Sequence, residues 1–107
     1  MLRIPTANEF EEYSERAYVL ALDPSRSSFP SYADGIKTKE DFLAIAKRGF
    51  ESENEEIYIF EHGGEMRVWI HFYVMKEDKY ISLEAFETDG FEKEQFADFV
   101  ALLKEKY

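Results

Sequence analysis

Residues 66–75 read MRVWIHFYVM, and this stretch decides the fold of the chain. It contains no turn former and is rich in β-branched and aromatic side chains, which favours a long central strand. Before it, the Gly-Gly pair at 63–64 supplies the positive φ angles of a hairpin turn, so residues 57–60 form the preceding strand. After it, the polar residues 76–79 form a second turn that leads into a strand at 80–86. The sequence therefore predicts a three-stranded antiparallel meander.

The two predicted turns also fix which residues face each other across the sheet. A shift of one residue would move every side chain of a strand to the opposite face, so the register determines which residues share a surface. The predicted pairs are Glu61 with Met66, Ile59 with Val68, Glu56 with His71, His71 with Glu84, Trp69 with Phe86 and Tyr73 with Ser82.

This register predicts two different sheet faces, because side chains alternate along a strand. The apolar face consists of Ile57, Ile59, Val68, Ile70, Phe72, Val74, Ile81, Leu83 and Ala85. The second face is aromatic and carries a polar row, and it consists of Glu56, Tyr58, Trp69, His71, Tyr73, Ser82, Glu84 and Phe86.

The second face holds the candidate functional residues, and each group on it has a structural alternative. The row of Glu56, His71 and Glu84 either takes part in chemistry or forms a cross-strand polar row that satisfies itself. Its ligand types suit zinc, but nothing supplies a fourth ligand, so we predict no metal site. The aromatic side chains form either a ligand-stacking surface or a second core layer covered by the final helix or a loop; they are Tyr58, Trp69, Tyr73 and Phe86.

Composition limits the class of function. The 107 residues form one predicted domain, 1–107, with a formal net charge of -10 and no cysteine. The negative charge repels phosphate backbones and anionic lipids, so we expect no nucleic-acid or membrane partner. The charge weakly favours a cationic partner such as a small amine, and the commoner reason for such a charge is a solvated surface that keeps the protein soluble. The absence of cysteine excludes disulfides and thiolate sites and fits a reducing compartment. With no signal peptide or membrane span in the sequence, we predict a cytoplasmic protein.

Three helices are predicted outside the meander. Gly49 lies in the apolar stripe of the second helix and permits close packing there. Between the first two helices, residues 24–35 form a loop whose Phe29 and Tyr32 either cover the edge of the core or form a lid over a ligand. The capping patterns that start the helices are Thr6 with Glu9, Thr38 with Asp41 and Asp89 with Glu92.

The order strand, helix, helix, meander and helix resembles the first half of the GNAT N-acetyltransferase fold. LRIPTANEF at 2–10 is similar to the opening strand and helix of that family, and IFEHGGEMRVWI at 59–70 is similar to its hairpin. The resemblance implies an α+β fold with a meander of three to four strands, two helices before it and one after it. It also implies acetyl-CoA as cofactor and acetyl transfer to an amine.

The resemblance assigns roles to individual residues. Glu84, on the strand that matches the fourth strand of the family, is the implied general base, with His71 beside it. The backbone near Ala85 and Phe86 is the implied contact of the thioester, and Gly90 is the remnant of the loop that holds the diphosphate. The implied substrate-side residues are Glu56, Tyr58, Trp69 and Tyr73.

The diphosphate loop departs from the family pattern. Residues 87–95 read ETDGFEKEQ and keep only one glycine of the family's glycine pattern. Each like charge a few ångströms from a diphosphate costs on the order of 1 kcal/mol, so we expect an incomplete cofactor site. The carboxylates expected in this region are Glu87, Asp89, Glu92 and Glu94.

The sequence ends at Tyr107, where the matching family continues with a further strand and helix. We therefore expect either an N-terminal part of a longer protein or a short relative, and we expect this chain alone not to be a complete catalyst. An open last strand would pair with another copy, which predicts a homodimer. The alternative function is a non-catalytic module that binds a small molecule, or dimerises, through the aromatic sheet face.

Overall fold

A computed structural model describes residues 2–22, 38–75, 77 and 80–106, without the side chains of Glu84 and Glu92. Within these residues the elements are α1 (Ala7–Ala21), α2 (Lys39–Glu51), β1 (Glu55–His62), β2 (Glu65–Met75), β3 (Tyr80–Thr88) and α3 (Glu92–Lys106). The strands form an antiparallel sheet in the order β1-β2-β3. The predicted α+β class and the meander with two helices before it and one after it are confirmed. The predicted loop at 24–35, with Phe29 and Tyr32, lies outside the described residues.

The first two helices begin where the capping patterns predict. The Thr6 hydroxyl accepts a hydrogen bond from the backbone N–H of Glu9 at 3.3 Å, and the Glu9 carboxylate accepts one from the backbone N–H of Thr6 at 2.9 Å. At the start of α2, the Thr38 hydroxyl accepts a hydrogen bond from the backbone N–H of Asp41 at 3.1 Å. Each cap satisfies backbone donors that the helix itself cannot reach.

The start of α3 differs from the prediction. The Gln95 N–H donates to the Phe91 carbonyl at 2.9 Å, so Phe91 occupies the N-cap position predicted for Asp89. Gly90 and Phe91 both have positive φ angles, of 77° and 62°. A positive φ is rare for a bulky residue. The ring of Phe91 packs on Phe60 with 5.3 Å between ring centroids, and this packing offsets the backbone strain.

The β1–β2 hairpin contains a bulge that the sequence does not reveal. Its turn lies at the predicted Gly-Gly pair 63–64, and Glu61 pairs with Met66 as predicted. The next pair, however, skips Arg67, which is therefore the extra residue of a β-bulge in β2. The predicted pairs of Ile59 with Val68 and of Glu56 with His71 are wrong; the observed pairs are Phe60 with Val68, Ile59 with Trp69, Ile57 with His71 and Glu56 with Phe72.

A second bulge interrupts β3. Tyr73 pairs with Ser82 as predicted, but the register shifts at Glu84, which is the extra residue. Beyond the bulge, His71 pairs with Ala85 and not with Glu84. The predicted pair of Trp69 with Phe86 is also wrong; the observed pairs are Trp69 with Glu87 and Ile70 with Phe86.

The two bulges redistribute the residues between the sheet faces, and helices cover both faces. One buried cluster, here called the α1/α2 layer, joins α1 and α2 to Ile57, Ile59, Met66, Trp69 and Ala85. The other, here called the α3 layer, joins Phe99 of α3 to Leu2, Tyr58, Val68, Ile70, Phe72, Val74 and Phe86. The predicted division into an apolar and an aromatic face is therefore wrong in its membership, since Ile57, Ile59 and Ala85 change places with Tyr58 and Phe86.

The two edges of the sheet differ. At the outer edge of β1, the Arg3 N–H donates to the Ile59 carbonyl at 2.9 Å and the Ile59 N–H donates to the Arg3 carbonyl at 2.7 Å. The predicted first strand is thus a single antiparallel bridge. At the outer edge of β3, no strand of the described residues pairs with it. None of the helices in the described ranges is long and apolar enough to cross a membrane.

Candidate functional site

His71 lies in the core between β2 and α2, with a side chain that is 2% exposed. It packs directly on Gly49, where a Cβ atom would lie 2.2 Å from Nε2 of His71 and 2.6 Å from its Cε1. No real side chain fits at that distance, so only glycine permits this contact. The predicted close packing at Gly49 is confirmed, and its partner is the imidazole.

The partner of His71 is Glu55 and not the predicted Glu56. The Nε2 atom of His71 lies 2.9 Å from Oε1 of Glu55, and the Glu55 side chain is 4% exposed. The reason is the bulge at Arg67, which shifts β1 by one residue relative to β2. Two buried polar groups thereby satisfy each other, although Glu55 is not a member of the predicted polar row.

Arg48 and Tyr73 connect this buried pair to the surface. Arg48 Nη2 donates to Oε1 of Glu55 at 2.9 Å and to the Tyr73 hydroxyl, and its guanidinium carbon lies 5.4 Å from the Tyr73 ring centroid. The Arg48 side chain is half exposed. We call Arg48, Glu55, His71 and Tyr73 the Glu55 network. It binds α2 to the first two strands and holds His71 and Tyr73 in place.

The Glu55 network makes stability depend on pH. Burial raises the pKa of Glu55, but the hydrogen bonds from Arg48 and His71 outweigh burial and hold the pKa below its ordinary value. The unfolded chain therefore binds a proton at Glu55 before the folded protein does. The stabilisation that ionised Glu55 gives is fully present above the pKa of this residue in the unfolded chain, about 4.3. It is lost as the pH falls through the lower pKa of Glu55 in the folded protein.

We predict that Glu55→Gln makes the stability of the protein less dependent on pH below about pH 4. The free energy of unfolding of both proteins would be measured by urea denaturation between about pH 2.5 and 6. Glu9, whose pKa Arg3 and Thr6 lower to about 2, contributes equally to both curves. If the free energy of unfolding falls equally steeply with pH in the wild type and in Glu55→Gln below about pH 4, Glu55 is not ionised and hydrogen-bonded in the folded protein.

The predicted substrate residues Glu56 and Tyr58 lie on the opposite side of the sheet from His71. Lys106, at the end of α3, donates to the Glu56 carboxylate and, at 3.1 Å, to the Tyr58 hydroxyl. These contacts fasten the last turn of α3 to β1. The predicted row of Glu56, His71 and Glu84 across one face is therefore wrong.

The predicted aromatic surface is divided between the two layers. Trp69 is completely buried in the α1/α2 layer, where its ring lies 6.0 Å from that of Phe10. Phe86 is buried in the α3 layer, with Phe96 and Phe99 at 5.6 and 6.3 Å. Both are therefore core residues, as the alternative of a second core layer predicts, but only Phe86 lies under the final helix, whereas Trp69 lies under α1 and α2. Among the described residues, the Trp69 Nε1–H has no hydrogen-bond partner.

The residues predicted to contact the cofactor lie on the open strand β3. Glu84 is its bulged residue, although the side chain of Glu84 is outside the described part of the structure. Ala85 and Phe86 are only 3% and 1% exposed as whole residues, backbone included, so both are buried and not directly accessible at the edge. Gly90 follows in the turn before α3, with a positive φ. The structure therefore keeps these four residues along one edge and the turn after it.

The turn after β3 is less negative than its sequence indicates. Glu87 is fully buried and pairs in register with Trp69, so it belongs to the α1/α2 side of the sheet. Oδ2 of Asp89 accepts hydrogen bonds from Arg16 at 2.7 Å and from Arg67 at 2.8 Å. Of the four carboxylates expected near a diphosphate, Glu87 is buried inside the fold and Asp89 is paired with two cations.

Sequence reasoning missed Arg16, Arg48, Glu55 and Arg67 as parts of these networks. One signal was present: Arg67 is the lone charge in the apolar run 66–75, and a charge inside such a run requires a partner or a bulge. Glu55 could not be distinguished from its neighbour Glu56 while the bulge was unknown. Arg16 is one of many charges on the exposed side of α1, and nothing in its spacing marks it.

Within the described ranges, no three His, Asp or Glu side chains are grouped so as to hold a metal ion. Comparison with known proteins gives no match: no protein-family model matches the chain, and neither a curated protein nor a solved structure does.

Proposed function

We propose that this chain is an acetyltransferase-related domain, similar to the GNAT family, that binds acetyl-CoA along the open edge of β3. The observation that carries the proposal is the bulge at Glu84. It falls within residues 84–86, to which the resemblance assigns the base and the thioester contact. The bulge supports the proposal independently, because the resemblance rests on the order of elements and on residues 2–10 and 59–70.

A bulge suits a strand that receives a ligand. The extra residue leaves the hydrogen-bonding ladder and bends the strand locally. β3 has no outer neighbour among the described strands, so no described strand competes with a ligand for its outward backbone groups. Because Ala85 and Phe86 are buried, a ligand would reach those groups only by displacing what covers them. Backbone N–H groups near Ala85 would donate to the carbonyl oxygen of the thioester, where negative charge develops during acyl transfer.

The proposed reaction needs one base. The amine nitrogen attacks the thioester carbonyl carbon, the C–N bond forms and the C–S bond breaks. Glu84 accepts the proton of the amine, and CoA leaves as a thiolate that takes up a proton. A carboxylate performs this step best with a pKa raised toward neutrality.

The other predicted site residues have an indirect role in this proposal. His71 is buried and bonded to Glu55 of β1, so it holds β2 against β1 and α2 and does not touch the substrate. Glu56 and Tyr58 bind Lys106, and Trp69 is fully buried. Tyr73, which is partly exposed, is the remaining predicted residue able to contact an amine.

The alternative function, a non-catalytic module that uses an aromatic sheet face, has less support because helices cover both faces. Dimerisation through the β3 edge would use the same backbone groups as the cofactor. A bulge in the middle of an edge strand interrupts continuous strand pairing, and natural proteins use bulges to prevent it. For this reason we propose acetyl-CoA, and not a second copy, as the occupant of the edge.

Titration with acetyl-CoA tests the proposal. We expect the backbone amide signals of residues 84–91 to shift in heteronuclear NMR spectra, while those of α2 remain unchanged. A parallel series over protein concentration, without cofactor, reports dimerisation of the same edge. No shift at millimolar acetyl-CoA would remove the proposal, and shifts with protein concentration alone would favour the dimer.

Substitution of the base is the second test. We predict that Glu84→Gln lowers acetyl transfer by roughly 10²- to 10⁴-fold, with unchanged affinity for acetyl-CoA. Transfer would be followed by release of the CoA thiol in the presence of primary amines. Glu77→Gln, which removes the same charge from an exposed position before β3, is the matched control. Equal turnover of Glu84→Gln and the control would remove the base assignment.

A further inference from the structure

We infer that Arg16 and Arg67 form a binding site for a phosphate-bearing anion, and that Asp89 occupies this site as a built-in competitor. The inference rests on the proposed function in one respect, since it names what controls access to the turn where the diphosphate of acetyl-CoA would lie. We call Arg16, Arg67 and Asp89 the arginine clamp.

The clamp joins three distant parts of the chain at one atom. Arg16 on α1 and Arg67 on β2 both donate to Oδ2 of Asp89, at 2.7 and 2.8 Å. Arg16 is oriented further by its Nε, which donates to the Met66 carbonyl at 3.3 Å. Arg67 is the bulged residue of β2, and a bulge re-aims the side chain that it carries. Both guanidinium groups are therefore held with their N–H donors converging.

Two guanidinium groups supply more donors than this carboxylate oxygen accepts. Each guanidinium has five N–H donors in a planar fork, and the fork matches a phosphate as well as a carboxylate. A phosphate group offers three oxygens and a larger charge, so it would accept bonds from both forks at once. Arg67 Nε donates to the His62 carbonyl at 3.4 Å and Arg67 Nη2 lies 3.2 Å from Oε2 of Glu65. A phosphate would therefore take the donors that now bind Asp89, which are Arg67 Nη1 and the Arg16 guanidinium.

The local charge favours an anion in a protein that is otherwise strongly acidic. The clamp itself carries two positive charges and one negative charge. Glu65 lies 3.2 Å from Arg67, but its side chain is 60% exposed and contributes little. The clamp residues are 20% to 31% exposed, so a ligand reaches them from solvent.

Asp89 can leave the clamp without unfolding the strand. Its backbone N–H donates to the Arg67 carbonyl at 2.7 Å, which fixes the main chain independently of the carboxylate. The Asp89 carboxylate can therefore rotate away from the two arginines while this backbone hydrogen bond stays in place. The carboxylate thus competes with an incoming phosphate for the same donors.

Binding of inorganic pyrophosphate to Asp89→Asn tests the inference. We expect isothermal titration calorimetry at low salt to show at least about tenfold tighter binding than to the wild-type protein, because the competing charge is gone. Glu15→Gln is the matched control, since it removes one charge from an exposed ion pair with Lys39. We expect this control to bind pyrophosphate as the wild type does.

Two arginine variants identify the site. Adding Arg16→Gln or Arg67→Gln to Asp89→Asn is expected to remove the gain. If Asp89→Asn does not fold, as circular dichroism would show, the wild-type protein at millimolar pyrophosphate gives the test. We then expect the amide signals of residues 88–91 to shift, and the absence of such shifts overturns the inference. An equal gain in Asp89→Asn and Glu15→Gln also overturns it, because the effect would then be one of net charge.

The failure of this inference is distinguishable from failure of the proposed function. One outcome is that acetyl-CoA shifts the amide signals of residues 84–86 and binds the wild type and Asp89→Asn with the same affinity. That result would contradict the role of Asp89 as a competitor and would leave the acetyltransferase proposal standing. If Asp89→Asn binds pyrophosphate but the protein does not respond to acetyl-CoA, the anion site of the arginine clamp is supported and the proposal that acetyl-CoA binds is contradicted.

Discussion

Replacing Gly49 with alanine is expected to lower the free energy of unfolding by about 2–3 kcal/mol, although alanine is the better helix former. The added Cβ would lie 2.2 Å from Nε2 of His71. The imidazole cannot yield easily, because it is buried and bonded to Glu55. Either α2 moves away from the sheet or the Glu55 network breaks. Urea denaturation followed by circular dichroism measures the loss.

A second substitution shows whether His71 is the cause. In a His71→Ala background, Gly49→Ala is expected to cost less than about 0.5 kcal/mol, because the clash has been removed and the gain in helix propensity remains. The coupling between the two positions would then be about 2 kcal/mol, in the range found for residues in contact. Equal costs in the two backgrounds would contradict the contact.

Replacing Trp69 with alanine is expected to lower the free energy of unfolding by about 3–5 kcal/mol, the usual cost of truncating a buried large aromatic residue. Trp69 is completely buried in the α1/α2 layer and packs on Phe10. The cavity would lie where α1 meets the middle of the sheet. Tyr80→Ala, which truncates an aromatic residue that is 54% exposed, is the control and should change stability by less than about 0.5 kcal/mol.

Milder substitutions at Trp69 and Phe86 test the observed register. Trp69→Phe and Phe86→Leu should destabilise additively within about 0.5 kcal/mol, since the two residues belong to different layers. As directly opposed aromatic residues they would couple by about 0.5–1.5 kcal/mol. A coupling of that size would contradict the bulges and restore the predicted pair.

The elements of the fold were predictable because their signals are local. Capping patterns start α1 and α2 at Thr6 and Thr38, and the Gly-Gly pair sets the hairpin turn. The prediction at Asp89 failed for a tertiary reason: its carboxylate binds two arginines from other elements, and Phe91 takes the cap position. A local pattern does not reveal a distant partner.

The register was not predictable beyond each turn. Met66, Val68 and Ile70 are all apolar, and so are Ile57 and Ile59, so every alignment of β1 and β2 buries apolar side chains. A strand that is buried on both faces lacks the alternation that would expose a bulge. One extra residue, Arg67, was enough to exchange the faces of β1.

The unknown register also made the partners of the candidate site residues unpredictable. The sequence identifies His71 as a polar residue that requires a partner. The predicted partner is Glu56, whereas the observed partner is the preceding residue, Glu55. Glu84 keeps its place on the open strand because the shift in β3 occurs at Glu84 itself. A role that depends on which residue lies opposite on the neighbouring strand changes when the register shifts. A role that depends only on a residue's position along β3 does not change.

The two layers also differ in when they can form as the chain is synthesised. All buried members of the α1/α2 layer lie before residue 86, whereas the α3 layer requires Phe99. Translation adds about 5–20 residues per second, and N-terminal parts fold first. For a second or so, a nascent chain with its hairpin already paired would expose Val68, Ile70 and Phe72 without their cover. Without α3, this face of the sheet is an exposed apolar surface of the kind that promotes aggregation.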